Sequence, residues 1–155
     1  MEQIKNIINF VIVSLDDRFS KNVSIELSSK MDMYNADVKE LIAYQLINPK
    51  EILQKCGYEY LKSRERDIVR GISEFENTVM SISFNLFKEY NDIFKNSIII
   101  YLKLPKGKTR SVLNEISYEA RDEYLHRLAD IELYFERKSK INATKLIIEK
   151  LREEL

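Results

Sequence analysis

The sequence has few of the residues that stop regular structure and almost none that cross-link a chain. Three glycines and two prolines occur in 155 residues, and tryptophan is absent. An all-β sandwich needs turn residues about every ten positions, so this composition argues against that class. The single cysteine, Cys56, excludes a disulfide framework and a thiolate metal cluster. We therefore expect a chain without disulfides in a reducing cytoplasm.

Neither sign of charge dominates the chain. Lysine plus arginine and aspartate plus glutamate each number 25, so no overall field attracts nucleic acid or an acidic membrane. No apolar run approaches the ~20 residues that span a bilayer. The apolar stretch at residues 8–15 is interrupted by Asn9 and followed by Asp16 and Asp17, unlike a signal peptide. A membrane is not an expected partner.

Most of the chain carries apolar residues at three- and four-residue spacing, the pattern of an amphipathic helix. In the first part it predicts one helix that ends near Phe19 and a second that begins near Ser20 or Asn22. Alternation at residues 23–27 also permits a short strand, but the helical register is longer. Asn48-Pro49 predicts the start of a short helix that ends at Gly57.

The longest apolar stripe runs from Tyr58 to Ile93 and predicts a single helix of about thirty residues, as in long antiparallel bundles. A further long helix is predicted up to Phe135, and a last one from Asn142. The expected fold is one all-α domain over residues 1–155, an antiparallel bundle of about four long helices with shorter connecting helices.

Residues 98–109, IIIYLKLPKGKT, raise the question of a phosphate-binding loop. Gly107-Lys108-Thr109 matches the second half of the motif G-x-x-x-x-G-K-[ST], but Leu102 stands where the first glycine is required. We therefore do not expect a nucleotide site here. The apolar run at 97–104 is predicted as a buried helix, with a buried strand left open because short apolar runs are ambiguous.

The segment that follows this run is basic. Lysine and arginine neutralise phosphate groups of a nucleic-acid backbone, although most short charge runs are solvated turns. The candidate phosphate or nucleic-acid contacts are Lys103, Lys106, Lys108 and Arg110.

The only histidine lies in EARDEYLHRLADIE, residues 119–132. Arg121-Asp122-x-x-x-His126 resembles the R-x(4–6)-H motif of the HEPN family, whose members are small helical bundles, many of them dimers. The resemblance implies a metal-independent ribonuclease in which Arg121 and His126 cleave RNA at a composite dimer site and Asp122 orients the arginine. The aromatic residue common two places after the histidine is replaced here by Leu128.

The same segment also offers a carboxylate constellation. Glu123 and His126 have the i, i+3 spacing that di-metal helical bundles use, but those bundles need a second histidine and the chain has none. The minor metal alternative comprises Glu119, Glu123, His126 and Asp130; no metal or cofactor is expected otherwise.

The leading functional hypothesis is a non-enzymatic helical-bundle protein that acts through self-association or protein binding. The long-helix face is the expected interface, either between two copies of the chain or with a protein partner. The alternative is a HEPN-like ribonuclease or RNA-binding bundle that uses Arg121 and His126.

Overall fold

The computed structural model describes residues 8–109 and 115–154. It is an α/β fold with a five-stranded sheet and helices on both faces, so the predicted all-α bundle is wrong. The strands are β1 (Phe10–Ser14), β2 (Tyr34–Asp37), β3 (Thr78–Ser81), β4 (Ile98–Lys103) and β5 (Ile131–Tyr134). The helices are α1 (Asp17–Lys30), α2 (Val38–Gln45), α3 (Pro49–Cys56), α4 (Tyr58–Ser73), α5 (Phe84–Tyr90), α6 (Glu115–Leu128) and α7 (Lys140–Glu154).

The sheet order is β2-β3-β1-β4-β5, and every neighbouring pair is parallel. The first strand in the chain is therefore the central strand of the sheet. In a parallel sheet all strands end at the same edge, so the segments that follow β1, β3 and β4 meet at the carboxyl edge.

Helices cover both faces of the sheet, which explains why the strands are continuous apolar runs. Side chains alternate along β1: Phe10 and Ile12 pack with α1 and α7, whereas Val11 and Val13 pack with the helices of the other face. All five residues of β1 are buried. Two apolar cores, one on each face, hold the three layers together.

The helical prediction fails first at the amino-terminal part of the chain. Residues 10–14 form β1, and a single helix, α1, runs through the predicted boundary near Ser20 and Asn22. Its continuation past Met31 is interrupted by β2. Residues 1–7, which carried the beginning of the predicted first helix, lie outside the described residues.

The predicted long helix from Tyr58 to Ile93 is divided into α4, β3 and α5. The turn before β3 contains Asn77 with φ of 55°, a left-handed conformation that asparagine tolerates better than most residues. Asp32, before β2, has the same φ. Both turns therefore form without glycine, and the long-helix face expected to bind a partner does not exist as a continuous surface.

Residues 98–103 form the strand that the sequence left open, not the predicted helix, and β5 ends the helix predicted up to Phe135. The short helix after Asn48 is confirmed: it begins at Pro49 and ends at Cys56, followed by Gly57 with φ of 91°. Within the described part of the chain, no helix is long and apolar enough to cross a bilayer.

Candidate ligand-binding cleft

The connection from the central strand to the first helix is short and contains no glycine. Only Leu15 and Asp16 separate β1 from α1. The Asp16 side chain is 2 % exposed and caps α1, because its Oδ1 accepts a hydrogen bond of 3.0 Å from the Phe19 backbone N–H. Ser14 fixes the turn: its Oγ accepts from the Asp16 N–H and donates to the Asp16 carbonyl.

A lysine from the opposite end of the chain completes this junction. Lys138, between β5 and α7, donates from Nζ to Asp16 Oδ2 at 2.6 Å. A helix N-terminus attracts anions through its unpaired N–H groups and its dipole. Here the chain supplies that anion itself, and both oxygens of the Asp16 carboxylate are engaged.

A nucleoside triphosphate does not fit this junction. A P-loop wraps phosphate oxygens with a glycine-rich backbone between strand and helix, whereas the first glycine of this sequence is Gly57. The buried carboxylate of Asp16 would also repel a phosphate placed at the start of α1. We therefore derive no chemistry from a nucleotide bound there.

Three adjoining cavities, of about 350, 370 and 710 Å³, open beside the junction. Asp17, the first residue of α1, and Ser83, just after β3, line all three. We call this continuous space the carboxyl-edge cleft. It lies where ligands bind in open parallel sheets, and each cavity falls in the size range of small-molecule pockets.

Three cations surround the middle of the carboxyl-edge cleft: Arg18 from α1, Lys39 from α2 and Arg121 from α6. Among residues 8–109 and 115–154, none of the three pairs with a carboxylate within salt-bridge distance. By contrast, Lys21 and Lys62, which also line it, already pair with Glu40 and Glu65. Among the described lining residues, the charged groups without an ion-pair partner are these three cations and Asp17.

Asp17 is the acidic group at the centre of these cations. Burial raises the pKa of its carboxyl above the ordinary value, and the charges of Asp16 and Asp37 raise it further. Lys39 and Arg121 act in the opposite sense, but their effect is smaller than that of burial. The net effect is that the charged form of Asp17 is disfavoured in the folded chain.

An aromatic ring supports Arg121. Its guanidinium lies 4.9 Å from the ring centroid of Phe84, at the start of α5, a distance typical of a cation–π contact. Phe84 is buried and meets the Tyr124 ring edge-on at 5.9 Å. The contact orients the arginine without neutralising its charge.

The next residue of α6 anchors the helix to the sheet. Asp122 accepts a hydrogen bond of 2.6 Å from the hydroxyl of buried Tyr101 and pairs with Lys103 at 3.2 Å, both on β4. Burial, then the hydrogen bond to Asp122, raises the pKa of Tyr101. Asp122 therefore holds the part of α6 that presents Arg121 to the cleft.

The structure separates the two residues of the predicted ribonuclease motif. Arg121 lines the cleft, whereas His126 is exposed and its Nδ1 lies 2.7 Å from Glu132 Oε1. The α/β fold overturns the HEPN-like interpretation and the helical-bundle function together, because both assumed a bundle of helices.

The other predicted site residues lie apart from the cleft. Lys103 belongs to β4, and Lys106 and Lys108 lie in an exposed 3₁₀ turn. Arg110 is outside the described residues. Of the metal alternative, Asp130 accepts a hydrogen bond from the Ile99 N–H, and no group of three or more potential ligand side chains converges within the described chain.

Sequence reasoning missed Asp16, Arg18, Lys39 and Ser83. A usable signal was present, because polar residues directly follow two short apolar runs: Asp16 follows FVIVSL and Ser83 follows TVMSI. Interpreted as parallel strands, those runs place both residues at one sheet edge.

Comparison with known proteins gives a likeness in structure alone. No protein-family model matches the chain, and no curated protein matches its sequence. The shikimate kinase of Aquifex aeolicus superposes with a TM-score of 0.71 at 20% identity, covering 95% of this chain and 98% of that one. Shikimate kinase from Acinetobacter baumannii, solved with shikimate, gives 0.70 at 15% identity, with 99% and 97% covered.

A third solved structure extends the likeness to another kinase. Dephospho-CoA kinase from Campylobacter jejuni superposes with a TM-score of 0.58 at 13% identity, covering 94% of this chain and 96% of that one. At these low identities, the superpositions establish the fold and not an activity. The chain has the α/β fold seen in shikimate kinase and dephospho-CoA kinase.

Proposed function

We propose that this chain binds a small anionic molecule in the carboxyl-edge cleft, on a kinase-like fold whose β1–α1 connection lacks a glycine-rich phosphate-binding loop. The observation that carries the proposal is that Arg18, Lys39 and Arg121 line one cleft in which, among the described lining residues, Asp17 is the one acidic side chain not paired with a lysine. Each of these cations can donate hydrogen bonds, and charge-assisted hydrogen bonds to carboxylate or phosphate are stronger than those between neutral groups.

The largest of the three cavities indicates the chemical character of the ligand beyond its acidic group. Its 710 Å³ are lined partly by apolar side chains of α2, α4, α5 and the residue after α2, namely Ile42, Leu61, Leu86 and Leu46. A ring or branched carbon body fits such a wall, with its acidic group directed towards Lys39. The proposed ligand class is therefore a compact organic acid or phosphate ester.

Shikimate is the first probe, because the structure from Acinetobacter baumannii contains it and the chemistry is that of a cyclic carboxylate. Benzoate combines a ring with a carboxylate, inorganic phosphate tests the anion alone, and benzyl alcohol is the neutral control that tests the ring alone. Thermal unfolding and calorimetry of the whole chain measure binding. We expect the anions to bind and the neutral alcohol to bind far more weakly.

Arg127→Gln is the matched control for Arg121→Gln. Both arginines lie on α6 over an aromatic ring, Arg127 at 5.7 Å from the Tyr124 centroid, but only Arg121 lines the cleft. Loss of Arg121 should weaken binding on the order of tenfold, the value of one charge-assisted hydrogen bond. Equal effects of the two substitutions, or no binding by any anion, would refute the proposal.

Phosphoryl transfer is a second candidate, favoured by the same three cations, since such a cluster stabilises a transferring phosphoryl group. Incubation with Mg·ATP and shikimate, followed by measurement of ADP, tests it. Because Asp16 fills the start of α1, we expect no ADP above the level without protein. ADP formation by the wild type that is lost in Arg121→Gln would show that the chain catalyses phosphoryl transfer and does not only bind a ligand.

The cytoplasmic location is also a proposal. Its support is a single cysteine, Cys56, which is free and exposed and would be prone to oxidation in a secreted protein.

A further inference from the structure

A second groove runs along the edge of the sheet. Within residues 8–109 and 115–154, β2 is an outer strand whose one partner is β3. The groove beside it has a volume of about 920 Å³ and is lined by residues of α1, β2, α2 and the turn before β3. We call it the β2-edge groove. It shares Lys21, Asp37 and Glu40 with the carboxyl-edge cleft, but its aromatic side chains do not line that cleft, and the inference drawn from them does not rest on the function proposed there.

Three aromatic side chains line the β2-edge groove and remain accessible to solvent. Tyr34, on β2, is 73 % exposed, Tyr44, on α2, is 82 % exposed, and Phe75, after α4, is 39 % exposed. Exposed aromatic residues that gather around one concavity are typical of binding surfaces. Their ring faces carry negative electrostatic potential, which favours cations.

The charges in the groove favour the same kind of occupant. Asp37, Glu40 and Glu76 contribute three negative charges and Lys21 one positive charge, which gives a net charge of −2. Lys21 is already held by Glu40 and lies 3.7 Å from Asp37. A second copy of the same surface would bring −2 against −2, so charge disfavours a symmetric dimer through this groove.

We propose that the β2-edge groove binds an arginine or lysine side chain on an extended segment of a partner protein. The cationic group lies against Tyr34 or Tyr44 and near Glu76, and the segment follows the open side of β2. Recognition of an extended segment at a sheet edge combines backbone contact with side-chain pockets. The specificity here comes from aromatic faces and carboxylates acting on one positive charge.

The test compares two synthetic peptides that differ only in charge. One is acetyl-Ala-Arg-Ala-Arg-Ala-amide, and in the other citrulline, a neutral isostere, replaces each arginine. Backbone amide NMR of the whole chain maps the contact while each peptide is titrated. We expect the arginine peptide to bind about fivefold or more tightly than the citrulline peptide, with shifts at Ile25, Tyr34 and Tyr44.

Matched variants locate the effect. Tyr44→Ala and Glu76→Gln should abolish the preference for arginine, whereas Tyr134→Ala and Glu136→Gln, exposed residues near the other edge of the sheet, should leave it unchanged. Equal binding of the two peptides, shifts outside the groove, or absence of binding would overturn the proposal. Concentration-dependent shifts at Tyr34 and Tyr44 without peptide would assign the groove to a second copy instead.

Discussion

Replacement of Asp16 by alanine tests the junction that sets this chain apart from a nucleotide-binding fold. The substitution removes the cap of α1, which costs about 1 kcal/mol. It also removes the acceptor of the Lys138 hydrogen bond, 2.6 Å long and directed at a buried carboxylate, which contributes about 1–2 kcal/mol. The free energy of unfolding should fall by about 2–3 kcal/mol, lowering Tm by about 4–12 °C.

The same variant should gain a property that the wild type lacks. With Asp16 removed, the N–H of Phe19 and the ammonium of Lys138 face an open anion position at the start of α1. Inorganic phosphate should then stabilise Asp16→Ala more than the wild type, since a ligand of the folded state raises its stability. The carboxyl-edge cleft is present in both proteins, so only the part of the gain that depends on Lys138 reports on this position.

Circular dichroism during thermal unfolding, in phosphate and in chloride of equal ionic strength, measures both effects. Combining Asp16→Ala with Lys138→Met should cancel the additional gain from phosphate while adding little further destabilisation. A Tm for Asp16→Ala within one or two degrees of the wild type, or equal phosphate effects in the two proteins, would refute the reasoning about this junction.

Three further predictions concern single side chains. The folded chain holds the Asp17 proton more tightly than the unfolded chain does, so the free energy of unfolding falls as pH rises through the range between the two pKa values. Asp17→Asn should therefore raise Tm slightly at neutral pH and lose that advantage below the ordinary aspartate range. The same variant should bind anions more tightly than the wild type. Asp122→Ala should lower the free energy of unfolding, measured with denaturant, by about 2 kcal/mol, because buried Tyr101 loses its hydrogen-bond partner. Adding Tyr101→Phe to Asp122→Ala should recover part of that loss. An equal loss in the single and the double variant would show that another contact of Asp122 is responsible. Asn77→Ala should cost about 1 kcal/mol and Asn77→Gly much less, because φ is 55° there; equal costs would show that φ does not matter.

The positions of helices were partly predictable, and those of strands were not. α3 follows from Asn48-Pro49 and Gly57, signals within the segment itself. β3 has only four residues, and its apolar positions continue the three- and four-residue spacing of α4 and α5. A periodic pattern therefore extended across two helices and the strand between them, because a strand buried on both faces has no alternation of its own.

The turns explain the rest of this failure. Few glycines were interpreted as few turns, yet Asp32 and Asn77 adopt left-handed conformations where β2 and β3 begin. The residues Asp32 and Asn77 themselves would have predicted these turns, since aspartate and asparagine tolerate positive φ better than other non-glycine residues. The low glycine content therefore gave no indication of the two turns, one before the edge strand β2 and one before the inner strand β3.

The site could not be found from the chain order of its residues. Arg18, Lys39 and Arg121 belong to three helices and meet only because the ends of parallel strands share one edge. Arg121 was singled out for its distance from His126 along α6, whereas its actual neighbours are Phe84 and Ser83. Without the sheet, no spacing in the sequence indicates that proximity.

The most direct test of the central claim is backbone amide NMR of the wild-type chain during titration with inorganic phosphate. The account predicts the largest shifts at Ser83, Asn85 and Arg121, which line the carboxyl-edge cleft, and small shifts at Phe19 and Lys138, where Asp16 already occupies the anion position. Shifts centred on Phe19 and Lys138, with none at Ser83 and Arg121, would contradict it.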